Sequence, residues 1–289
     1  MRRPLLIAAL VGTFMATPAL ADVTVRYRGV MPAGAPANVR ENPPGMTISA
    51  DGAGQARMEI SAPGTPAAGA RQPSVALITR EGAIYIAASG PQPGLQIVTR
   101  MDDALALATQ FARPLLQGSA REGVQQVMRQ RVEIIPVGPE VVSGVQGNLY
   151  RVVMVMGETR SPPVEIVVAT DPRLAPVGQA FAGLFESMRP TVTSLLGGEP
   201  QVYAAMRGLA GLGAPLRIGD HVRIDTVSTD DVPDSQFALP GPVLTREQLQ
   251  GIMGMMMGMM NQQGRPNMNP PAAPPALPAP PPGNAATPH

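Results

Sequence analysis

The chain contains no cysteine, no lysine and no tryptophan, and only two histidines, His221 and His289. Without cysteine there is no disulfide, no thiolate nucleophile and no Cys-ligated zinc or iron–sulfur centre. Without lysine there is no P-loop lysine and no Schiff-base chemistry. With only two histidines, one of them terminal, multi-histidine metal sites are not expected, and a Ser-His-acid triad would have to use His221. That residue sits in Gly219-Asp220-His221-Val222-Arg223-Ile224-Asp225, where apolar and polar residues alternate. The alternation predicts a strand with His221 turned to solvent. The carboxylate pairs Asp102-Asp103 and Asp230-Asp231 are adjacent in sequence, so on a strand they point to opposite faces. They fit helix N-terminal and turn positions better than a glycosidase dyad. The inventory therefore predicts a protein that is not an enzyme and carries no cofactor, with a hydrolase as the least favoured reading.

Charge is also scarce, at 15% of residues, and every one of the 22 basic residues is arginine. Abundant Ala, Gly and Pro alongside arginine without lysine is the compositional signature of a GC-rich bacterial genome. With a net charge of +1, the chain has no electrostatic footprint for nucleic acid.

The first 21 residues read as a cleavable secretory signal. Arg2 and Arg3 precede an apolar run from Leu5 to Met15, and Pro18 stands before Ala19-Leu20-Ala21, a small-x-small cleavage pattern. The run is too short to anchor a helix across a bilayer. Periplasmic or secreted residence is expected, with no transmembrane anchor after cleavage and no lipid-modified cysteine. Loss of Arg2 and Arg3 turns the net charge to −1.

Residues 22–240 read as one α+β domain. Val23, Val25 and Tyr27 alternate with Thr24, Arg26 and Arg28, the pattern of a half-buried strand. Further strands are predicted at 46–49 and 57–61 around the turn Asp51-Gly52-Ala53-Gly54, and at 75–79 and 83–86 around Glu81-Gly82. Others follow at 95–99, 132–135, 149–155, 164–169, 216–218 and 222–227. Asp102 and Asp103 open a helix ending before Pro114. A second helix carries Val177, Ala180, Phe181, Leu184, Phe185 and Met188 on one face. Pro190 should end or kink it, and a shorter helix covers 201–209. Short turns between consecutive strands predict an antiparallel sheet of about ten strands, curved, with helices covering one face.

Several segments come in one order along the chain: Gly147-Asn148-Leu149-Tyr150-Arg151-Val152, Val164 to Asp171, Gly213-Ala214-Pro215-Leu216-Arg217, and Ser235-Gln236-Phe237-Ala238-Leu239-Pro240. In that order they resemble a family of uncharacterised exported bacterial proteins. Its layout is similar to the LolA/LppX-like half-barrels that carry lipoproteins or lipids across the periplasm. The resemblance implies a curved half-barrel sheet whose concave face can hold an apolar ligand, such as an acyl chain; this chain departs from it in having no Trp, four Tyr and five Phe, which makes a filled core the alternative. It implies no catalytic residue.

Residues 241–262 form the most distinctive stretch. Thr245 and Gln248 have the spacing of a capping box. Leu249, Ile252, Met253, Met256, Met257 and Met260 then recur at helical spacing, while Gly251, Gly254 and Gly258 each weaken the helix by about 1 kcal/mol relative to Ala. Such a helix needs a surface to dock on. Three roles fit it. One is a lid on the protein's own apolar surface. Another is a plastic thioether surface for an envelope protein partner or a lipid. The last is a Cu(I) site built from Met253, Met256, Met257 and Met260. From residue 263 on, the Pro/Ala/Asn/Gly composition predicts a disordered or polyproline tail.

Overall fold

A computed structural model describes residues 22–32, 34–61, 75–89, 96–116 and 120–263. The expected signal peptide, the loop around 63–73, Leu95 and the tail from 264 on lie outside the described residues. The described residues fall into two units, one within Met1–Leu249 and the other within Gln250–His289.

The first unit opens with β1 (Val23–Gly29), the short helix α1 (Ala37–Glu41), β2 (Gly45–Ala50) and β3 (Ala56–Ser61). Next come β4 (Val75–Arg80), β5 (Ala83–Ser89), β6 (Gln96–Arg100), α2 (Met101–Leu115) and α3 (Ala120–Arg129). A long hairpin of β7 (Arg131–Val142) and β8 (Val145–Met156) leads to β9 (Thr159–Arg160) and β10 (Val164–Ala169). Then α4 (Ala175–Leu196), α5 (Gln201–Leu212), β11 (Pro215–Ile218), β12 (Val222–Ser228), β13 (Val243–Leu244) and the start of α6 (Arg246–Gln263) complete the order.

All the strands belong to one open sheet ordered β13-β6-β5-β4-β3-β2-β1-β12-β11-β10-β8-β7, with β9 beside β8. Among the described residues every pairing is antiparallel except β13 with β6. The α+β class and the mostly antiparallel sheet are as the turn chemistry implies. Among the described residues the strand count is thirteen rather than about ten. The two strands without a sequence signal, β9 and β13, are two residues long, too short to show alternation.

Other differences have local causes. Pro136, Gly138 and Pro139 make 136–139 read as a turn, yet β7 continues through them, with a register shift between Pro136 and Gly138. The actual turn is Ser143-Gly144, both at positive φ (50° and 81°), which matches the twist of a two-residue hairpin. Pro190 does not end α4, which runs on to Leu196 and Gly197, a left-handed C-cap. Its last turns keep Val192, Leu195 and Leu196 half-buried, and packing outweighs the lost hydrogen bond. Likewise α2 continues through Pro114. Helix α3 has no counterpart among the helices that the sequence pattern predicts. His221 stands exposed in the turn before β12 rather than on the strand itself.

The main core lies between α4 and the face of β1–β3 carrying Val23, Val25, Tyr27, Ile48, Ala56 and Met58. Val177 of α4 is part of it and Ala180, Phe181 and Leu184 pack onto it, four of the six residues of the predicted apolar stripe. Strand β10 is buried on both sides. Ile166 and Val168 pack with Leu209 of α5, while Val167 and Ala169 join the main core. At the base of α4, a Cβ on Gly178 would come within 2.9 Å of backbone atoms of Gly213 and Ala214, so only glycine allows this approach.

Tyr27 carries a test of the core. Its ring meets Phe181 edge-on at 6.2 Å, but among the described residues its buried hydroxyl has no hydrogen-bond partner. Burial alone pushes the phenol well above its ordinary pKa. A buried unsatisfied hydroxyl costs about 1–3 kcal/mol. Tyr27→Phe keeps the ring contact and is expected to raise the unfolding midpoint in urea or on heating. A lowered midpoint would mean that the hydroxyl has a partner that matters.

Candidate functional site

The middle of α4 packs closely on the sheet. Between the sheet and the helix lies a gap of about 10 Å³, bounded by Ala56, Met58, Leu77, Thr79 and Ile84 below and Ala180 and Leu184 above. That space holds about one water. At this point the sheet and the helix pack against each other directly.

The opposite face of the same strands is different in character. Alternation puts Thr24 and Arg26 of β1 there, with Thr47 and Ser49 of β2 and Arg57 and Glu59 of β3. The register sets them in two rows across the strands, Thr24–Ser49–Arg57 and Arg26–Thr47–Glu59. Further along this face the side chains turn apolar. Ala76, Ile78, Ala87 and Val98 of β4–β6 form a small second core with Leu239 packed on it. The segment following β12 runs across this face. Its 3₁₀ turn Asp234–Phe237 touches β3 and β4, and its end pairs with β6 as β13. Phe237 is 1% exposed and anchors the crossing.

Where the apolar patch gives way to the polar rows, the strap leaves a groove of about 490 Å³, walled on one side by Ser235 and Gln236. Arg57 is fully engaged: its guanidinium donates to Glu59 Oε1 at 2.6 and 2.8 Å and to the Gln236 carbonyl at 3.3 Å. The Thr24 and Ser49 hydroxyls bond to each other at 3.1 Å. Arg26 is exposed and forms no ion pair among the described residues. The groove therefore holds one compensated ion pair, one uncompensated cation and a set of hydroxyls.

Three further depressions lie on the first unit. One, of about 440 Å³, separates the start of α4 from the end of α5 and is lined mainly by Ala and Gly. Another, of about 550 Å³, lies between α2 and α4 beside Arg113 and Arg246. The last, of about 370 Å³, lies along α3. On β7, β8, β10 and β11 a chain of charges links Glu140, Arg217, Glu165 and Arg151 at 2.9 to 3.2 Å. Hydrogen bonds from Arg217 and then Arg151 hold the Glu165 carboxyl below the usual carboxylate range.

The acidic pairs are not brought to a common site. Asp102 and Asp103 occupy the first turn of α2, while Asp230 bonds to Ser228 Oγ at 2.6 Å in the bend after β12. Among the described residues no three His, Cys, Asp or Glu side chains gather to hold a metal ion. No helix there is long and apolar enough to cross a membrane.

The capping box before α6 forms as its spacing predicts. Gln248 N donates to Thr245 Oγ1 at 3.3 Å, and Thr245 N donates to Gln248 Oε1 at 2.9 Å. Leu249 is buried in the first unit. Ile252, Met253, Met256, Met257 and Met260 fall in the helical part of the second unit, and the side chains of the last three lie outside what is described.

The groove of β1–β3 is not among the sites that the sequence pattern predicts, although part of its signal is there. Thr24, Arg26, Thr47 and Ser49 are the polar members of strands that announce themselves by their apolar members. Ser235 and Gln236 arrive from about 200 residues further along the chain, and no local pattern announces that.

The chain matches no family model, and no curated protein matches it.

Proposed function

We propose that the protein is an exported, non-enzymatic binding protein of the bacterial envelope, built on a half-barrel-like sheet and acting on a protein partner through the apolar stripe of α6. The close packing of α4 on the sheet carries this reading. Pockets for small apolar ligands run to about 300–1,000 Å³, against about 10 Å³ here. That favours recognition at the surface over an enclosed acyl chain. Export rests on Arg2-Arg3, the apolar run and Ala19-Leu20-Ala21. Leu249 is buried in the first unit, so Ile252, Met253, Met256, Met257 and Met260 offer the adaptable surface, because unbranched thioethers fit varied shapes. The second reading is a Cu(I)-binding or stress protein using four of those thioethers as soft ligands. Replacing the four methionines by leucine or by glutamate separates the two: a partner surface tolerates leucine, and a thioether metal site does not.

A further inference from the structure

The groove on the outer face of β1–β3 has chemistry that the proposed partner surface does not use. Its donors outnumber its acceptors. Arg26 brings a planar fork of N–H groups that forms no ion pair among the described residues, and there the Thr47 and Ser235 hydroxyls and the Gln236 amide stand free in the same groove. The one carboxylate lining the groove, Glu59, is already held by Arg57 at 2.6 Å. The floor is strand backbone in continuous register across β1, β2 and β3, so the donors sit on rigid elements.

We propose that this groove binds a small hydroxylated carboxylate, with Arg26 pairing its carboxyl group and the surrounding hydroxyls and amide pairing its hydroxyl groups. Three observations select that class. The site has a single uncompensated positive charge, which matches a monoanion, whereas a phosphate monoester carries about −1.5 to −2 at neutral pH. A guanidinium grips a carboxylate through two parallel hydrogen bonds. The remaining lining is polar and uncharged, which suits hydroxyl groups rather than an acyl chain. At about 490 Å³ the groove has room for a ligand of monosaccharide size.

The test is a titration of the full mature chain with glucuronate, followed by amide and arginine side-chain NMR shifts. The expected result is saturable shifts at Thr24, Arg26, Thr47 and Ser235. Glucose has the same ring without the charge and should bind at least about tenfold more weakly, since a hydrogen bond to a charged group is worth about that factor or more; glucose 6-phosphate, a dianion facing a single uncompensated cation, should bind no more tightly than glucuronate. Arg26→Gln should reduce glucuronate affinity by about tenfold or more. Arg26 is exposed and has no ion pair among the described residues, so the spectrum of the variant should otherwise be preserved. Thr47→Val keeps strand propensity and shape and should weaken binding several-fold. The proposal is overturned by glucuronate shifts that do not saturate or lie elsewhere, by glucose binding as well as glucuronate, by tighter binding of glucose 6-phosphate, or by full affinity in a folded Arg26→Gln protein.

Discussion

Phe237→Ala is expected to destabilise the first unit by about 3–5 kcal/mol, the cost of emptying a fully buried phenyl site. Phe237 is the largest fully buried side chain among the described residues, yet it lies in an otherwise exposed four-residue turn. Asp234, Ser235, Gln236 and Ala238 around it are all exposed. The ring is thus the pin that holds the strap on β3 and β4, assisted by Leu239 on the small second core. Removing it unseats Ser235 and Gln236 as well, so the groove wall should loosen together with the fold. For a domain of this size each kcal/mol shifts the melting midpoint by about 2–4 °C, so a fall on the order of 10 °C is expected. Val141→Ala is the matched control: Val141 is 61% exposed, and such surface changes stay within about 0.5 kcal/mol. Equal effects of the two substitutions would mean that the strap is not anchored by Phe237.

Replacing Met253, Met256, Met257 and Met260 together should separate shape from sulfur. Leucine nearly conserves volume and apolarity, and such swaps cost under about 1.5 kcal/mol each where the site is packed. An adaptable partner surface should therefore keep its partner within about tenfold in the leucine variant. Glutamate is also a good helix former, so the glutamate variant keeps helix propensity while placing four charges on the stripe. Contacts that desolvate fully on binding are worth about 2 kcal/mol or more each. Several of them lost together should abolish co-purification. Copper predicts another pattern, because leucine offers no lone pair to Cu(I). Titration of Cu(I) under reducing conditions into wild type and the leucine variant reads this directly. A tight complex that vanishes with leucine would make the methionines ligands and set the partner reading aside.

Much of the fold was legible because its signals are local. Val23, Val25 and Tyr27 announce a half-buried strand by alternation, and Thr245 with Gln248 announces a helix start. The two-residue turn at Glu81-Gly82 fixes its flanking strands as antiparallel. What was illegible depends on tertiary packing. Pro136 and Pro139 argue for a break that β7 absorbs by a register shift, and Pro190 argues for a helix end that packing of Val192 and Leu195 overrides. Strand β13 exists only because the strap carries Val243 alongside Val98. The groove lay between these cases: its strand residues carry a period-two polar signal, but its wall comes from a distant segment. The close packing under α4 could not be read either, since Leu, Ile, Val and Met line a ligand cavity and a packed interior equally well.

Native mass spectrometry of the chain expressed with its own N-terminus and purified from periplasm tests the account most directly. The account predicts a mass corresponding to cleavage after Ala21, no stoichiometric lipid or copper, and a protein partner that disappears in the glutamate variant of the methionine stripe. A stoichiometric lipid that survives purification, or an uncleaved chain retained in the cytoplasm, would contradict it.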